Sequence, residues 1–131
     1  MIENVISGLK TLLAEFAPVD AGEFKEDLNP RGSVAIQITN MNPVQANVPD
    51  WILDIDFMGL TTADADPDKT LITRLYDGVF RTLARLTKEQ IATATGEKAS
   101  LWIPTSAVAP SGNDGRIFTI TYRLIIQDFN Q

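Results

Sequence analysis

Two carboxylates, Asp54 and Asp56, are separated by one residue in the run Trp51-Ile52-Leu53-Asp54-Ile55-Asp56-Phe57. On an extended chain alternate side chains share a face, so both acids project together, as a magnesium-dependent nuclease requires. That chemistry also needs a further acid, for which Asp64 or Asp66 are the candidates, together with a placed base and a basic channel that the sequence does not supply. Solvent exposure or an ion pair between subunits is the reading these residues favour. The string Asp64-Ala65-Asp66-Pro67-Asp68 opens like a calcium loop, but Lys69 stands where the glycine belongs and Leu75 where the bidentate glutamate belongs. Ser7-Gly8-Leu9-Lys10 has the serine-x-x-lysine spacing of penicillin-binding enzymes without their partner motifs. The glycines form neither a dinucleotide fingerprint nor a phosphate loop. With no histidine and no cysteine, imidazole bases, thiolate nucleophiles, disulfides and nearly all transition-metal sites are excluded. A metal-dependent enzyme built on Asp54 and Asp56 is thus a minor alternative; the expectation is a protein without catalysis, cofactor or metal.

The cations are more informative. Arg74, Arg81, Arg85 and Lys88 stand at offsets 0, 7, 11 and 14, so on one helix they line up in one direction. Asp77 lies nearby, and an ordinary solvated helix face accounts for the pattern as well as a contact does. As a contact, the stripe would meet acidic groups of a neighbouring copy or partner, which Asp54 and Asp56 could supply.

The chain has 131 residues, 44% hydrophobic and 21% charged. It is long enough to bury a core as a single domain over residues 1–131. No apolar run approaches the ~18 residues of a membrane span, and the start lacks a signal-peptide pattern, so a cytoplasmic protein is expected. A net charge of −6 makes nucleic acid an unfavourable partner.

Ile2, Val5, Ile6, Leu9, Leu12, Leu13 and Phe16 recur at helical spacing and predict a helix over 2–16, ended by Pro18. Residues 19–33 read as a loop from which Phe24 and Leu28 dip into the core, and 34–39 as a strand. Residues 40–50 form a breaker-rich exposed loop, and 51–62 a strand with Trp51, Leu53, Ile55 and Phe57 on one face. Asp66 as cap, Pro67 at the first position and Asp68 near the dipole predict a second helix over 67–88. Its apolar face is Leu71, Ile72, Leu75, Tyr76, Val79, Leu83 and Leu86. Residues 91–95 and 100–103 read as short strands interrupted by residues 96–98 and Pro104. The stretch 110–115 is a turn, and 116–129 the final strand, with Phe118, Ile120, Tyr122, Leu124 and Ile126 on one face. The fold class is α+β: a mixed or mostly antiparallel sheet packed with two helices. The strands at 34–39 and 51–62 have no crossover helix between them, so they pair antiparallel.

In that order of elements the chain resembles the tail terminator and minor tail proteins of long-tailed bacteriophages. The resemblance is carried by the amphipathic first helix, the strand Ser33-Val34-Ala35-Ile36-Gln37-Ile38-Thr39, the breaker-rich loop and Trp51-Ile52-Leu53-Asp54-Ile55-Asp56-Phe57. It continues through the acidic opening of a helix with Leu75-Tyr76-Asp77-Gly78 and the final strand Phe118-Thr119-Ile120-Thr121-Tyr122-Arg123-Leu124. It rests on pattern and covers most of residues 2–128; residues 89–109 and 128–131 match least. It implies a virion tail protein assembled in the host cytoplasm. Its partners would be further copies of itself in a ring, commonly of six, together with the tail tube protein and the head–tail connector protein. It implies no cofactor and no catalysis; neither a membrane nor sequence-specific nucleic acid is an expected partner. A connector or a tube subunit is the alternative within the same class.

Overall fold

The computed structural model describes residues 2–16, 32–45, 49–110 and 115–127. Helix α1 (Ile2–Phe16) buries Val5, Leu9, Leu12 and Leu13, the stripe set by its 3.6-residue period. Four strands follow the predicted order, β1 (Ser33–Pro43), β2 (Trp51–Leu60), β3 (Lys98–Val108) and β4 (Ile117–Gln127). They form one sheet in the order β1-β2-β4-β3, every neighbouring pair antiparallel. The architecture is α+β, as the sequence implies.

Alternation along β2 and β4 sorts the sheet into two faces. Leu53, Ile55 and Phe57 with Phe118, Ile120, Tyr122, Leu124 and Ile126 join the helices in one core; the residues between them are only partly covered. Trp102 of β3 stacks on Tyr122 with ring centroids 4.4 Å apart, Phe57 meets both edge-on, and the indole N–H donates to the Leu83 carbonyl at 3.1 Å. Gly59 pairs directly with Phe118, whose ring occupies the space a β-carbon would need, 2.0 Å from its ideal position. Here glycine is required by close approach and not by turn geometry.

The helices depart from expectation at their ends. Helix α2 spans Thr70–Arg85, starting three residues later than Pro67 at its first position would have it. Asp66 does cap it, but from a distance. Its carboxylate accepts the Leu71 and Ile72 amides at 2.9 and 3.0 Å while Thr61, just past β2, donates its hydroxyl at 2.8 Å. Residues 67–69 make the intervening turn, with Lys69 at φ 64. At the other end Leu86 is extended, so the helix stops at Arg85 and Lys88 begins a third helix, α3 (Lys88–Thr95). Residues 91–95 are therefore helical and not a short strand. Thr87 and Gln90 form a reciprocal capping box, and Gly96 at φ 75 closes the helix. Helix α3 packs on α1, where Gly8 lies so close to the Ala94 carbonyl that an added β-carbon would stand 2.6 Å from it.

The connection expected over residues 40–50 is shorter than its sequence suggests. Strand β1 continues to Pro43 opposite Trp51, and the Val44 amide donates to the Asp50 carbonyl at 3.0 Å, so the connection begins after Pro43. Strand β3 runs through Pro104 as one element. It can do so because it is an edge strand, with irregularities at Ala99/Leu101 and Pro104/Ser106. Of the loop expected over 19–33, Ser33 already belongs to β1, while residues 19–31 with Phe24 and Leu28, residues 111–114 of the turn expected over 110–115, and residues 128–131 lie outside the described residues.

Candidate subunit-contact surfaces

Each carboxylate on β2 has a partner within the chain. Cross-strand register sets Asp54 opposite Arg123 and Asp56 opposite Thr121. The Arg123 guanidinium donates through Nε to Asp54 Oδ1 at 2.9 Å and through Nη2 to Oδ2 at 3.4 Å. Thr121 Oγ1 donates to Asp56 Oδ1 at 2.7 Å. Hydrogen bonding to Asp54, followed by its charge, raises the pKa of Arg123 above its ordinary value. The two acids do share a face, the one opposite the helices, as strand alternation requires. Asp66, the proposed further acid, is fully buried under the start of α2 and satisfied by its capping bonds. Among the described residues no three acidic side chains gather as a metal-binding group.

Arg74, Arg81 and Arg85 are exposed on α2, and 3.6 residues per turn sets them within about 40° of one direction. Arg81 donates to Asp77 one turn back at 3.0 Å, a pair about 60% exposed and therefore weak. Lys88 is exposed too, but the break at Leu86 and Thr87 puts it on α3, so the stripe is three arginines on one helix with a lysine at the start of the next. The cations thus lie on the helix layer and the acids on the far side of the sheet.

Apolar side chains that sequence reasoning missed accompany both. Phe80 on α2, beside Arg81, is 40% exposed and tilts against Tyr76 at 5.8 Å. On the sheet's far face Ile103 pairs with Arg123, Val108 with Thr119 and Ile117 with Leu60; these three isoleucine and valine side chains are 42–53% exposed. Period-two alternation in β3 and β4 assigns them to that face, but residues 91–103 do not reveal from sequence that β3 is one strand. An open cleft of about 800 Å³ lies between α1 and β1, lined by Ile2, Ile6 and residues 35–41.

Fold and surface together define an α+β protein with an antiparallel sheet, helices on one face and a charged, partly apolar surface on each side. Protein-family models give no match to the chain, and no curated protein matches its sequence. No described helix is long and apolar enough to cross a membrane.

Proposed function

We propose that the chain is a structural subunit that assembles with copies of itself, in the manner of a tail terminator of a long-tailed bacteriophage. In this reading it forms a ring that ends tail-tube growth and meets the head connector. One observation carries the reading: exposed cations and Phe80 stand on the helix layer, while Asp54, Asp56 and three exposed apolar side chains stand on the opposite side of the sheet. Unlike surfaces on opposite sides of one subunit suit head-to-tail contacts, which close into rings when the rotation permits. Arginine and aromatic residues are also the types that anchor such contacts. Asp54 is already paired with Arg123, so in this arrangement the sheet offers a shared ion-pair network to the incoming arginines.

The test is the mass of the assembled species by light scattering, with the double substitution Arg81→Glu and Arg85→Glu. Loss of the oligomer with the fold intact supports the contact; unchanged assembly removes the stripe from it. Co-sedimentation with purified tail tubes, compared with heads, separates the terminator from the connector.

A further inference from the structure

The sheet face opposite the helices presents two accessible charges of opposite sign. Arg123 covers Asp54, whose side chain is only 17% exposed against 42% for the arginine, so of that pair the cation is the accessible member. Asp56, two residues along β2, accepts the Thr121 hydroxyl on Oδ1, and its Oδ2 takes no bond among the described residues. Because Thr121 stands opposite Asp56 and Arg123 opposite Asp54, Asp56 and Arg123 are diagonal neighbours, about 7–8 Å apart along the face. Helix α2 presents a doublet of similar spacing. Asp77 and Arg81 lie about 6 Å apart along its axis and are 60% and 62% exposed. Their mutual ion pair is weak at that exposure, so both groups can be shared with a neighbour.

We infer that four charges set the register of the helix–sheet contact between copies, with Arg81 of one copy on Asp56 of the next and Asp77 on Arg123. The inference rests on the contact proposed above and assigns Asp77 and Arg123 a part in it. Two charges in line match two opposite charges in one direction only. Turned end for end, α2 would set Arg81 against Arg123 and Asp77 against Asp56, both like-charge contacts that cost affinity. Arginines meeting acids alone would accept either direction, whereas a ring needs the same rotation at every contact. Charge also selects a second copy as the occupant. Residues 69–88 hold five basic side chains and one acid, +4 within a chain of −6, which leaves −10 for the rest, so copies attract in this orientation. Asp77, the one acid in that basic stretch, then has a cation to meet.

The test is the concentration at which the assembled full chain half-dissociates, read by analytical ultracentrifugation. Asp77 is exposed, so Asp77→Asn and Asp77→Arg leave the fold intact. Arg123→Gln is combined with Asp54→Asn, so that no carboxylate loses its partner. The expectation is a midpoint raised about fivefold by Asp77→Asn and further by Asp77→Arg. In the background of Asp54→Asn with Arg123→Gln, Asp77→Asn should add nothing, because its partner is already gone. Tighter assembly with Asp77→Asn would mean that Asp77 only competes for Arg81, and overturns the inference; additive effects of the helix and sheet variants overturn it too. Assembly that is lost with Arg81→Glu and Arg85→Glu but indifferent to Asp77→Arg overturns it while the contact itself stands. A chain that stays monomeric at every concentration overturns both.

Discussion

Helices α2 and α3 both begin with an oxygen-bearing side chain that accepts backbone amides, yet the two starts have opposite character. At α3 the cap is local and exposed. Thr87 accepts the Gln90 amide at 3.2 Å, and the Gln90 side chain accepts the Thr87 amide at 2.9 Å, all within four residues. At α2 the cap is long-range and buried. Asp66 takes two helix amides and the Thr61 hydroxyl, while Arg116, just before β4, donates Nε to the Asp66 carbonyl at 2.8 Å and Nη2 to the Pro67 carbonyl at 3.2 Å. The Thr61 amide closes the circuit by donating to the Arg116 carbonyl at 3.1 Å. One cap finishes a helix. The other ties α2 to the ends of both central strands, and so fixes the direction of the arginine stripe relative to the sheet.

The largest effect is expected at Asp66. Asp66→Ala leaves two amides and a buried hydroxyl unsatisfied, and should cost about 2–4 kcal/mol in urea unfolding. Burial by itself would raise the Asp66 pKa. The bonds from Thr61, Leu71 and Ile72, with the Arg116 charge, outweigh it and hold the value below that of a free carboxylate. A depressed folded pKa contributes stability that is fully present above the unfolded value of roughly 3.9, and that is lost as pH falls through the folded value. The acid limb of the stability–pH profile should therefore flatten in the alanine variant. An unchanged limb would remove Asp66 from that role.

Gly59→Ala tests whether the same end of the sheet tolerates crowding. Its β-carbon must displace the Phe118 ring, which is buried against Tyr76 at 5.2 Å, and a loss of roughly 1–3 kcal/mol is expected. Thr87→Ala, which removes the local cap, should cost about 1 kcal/mol and be read mainly as fraying of α3 in amide exchange. The smallest effect is at Lys69, a non-glycine residue at φ 64 beside the long-range cap. Lys69→Gly removes left-handed strain of ~1–2 kcal/mol but adds unfolded-state freedom, so a net gain below about 1 kcal/mol in thermal unfolding is expected. A loss would mean that the lysine side chain, packed beside Gly115, contributes more than its strain costs.

These two starts also show how far the sequence can be read. Asp66 was recognisable as a cap because aspartate before proline is a local signal. Its burial and its bond to Thr61 were not, because both depend on the turn at residues 67–69 and on how β2 ends. The cap at α3 was written locally as threonine followed three positions later by glutamine; the β-branched and threonine-rich run after it favoured a strand reading, and packing of Gly8 against Ala94 favours the helix. The core faces of β2 and β4 were legible because period-two alternation is uninterrupted in both. Strand β3 was not, because proline and two irregularities interrupt its pattern, and only an edge position makes them tolerable. The shared face of Asp54 and Asp56 followed from alternation, whereas Arg123 and Thr121 as their partners required the register between strands far apart in sequence.

In the proposed assembly, unlike surfaces on the two sides of the sheet join copies of the chain head to tail. Light scattering across concentration and salt tests it most directly. The expected result is a closed oligomer larger than a dimer whose mass falls as salt rises and whose formation is lost when Arg81 and Arg85 are both replaced by glutamate. A species that never exceeds a dimer at any concentration or salt, or a larger oligomer indifferent to both substitutions, would contradict it.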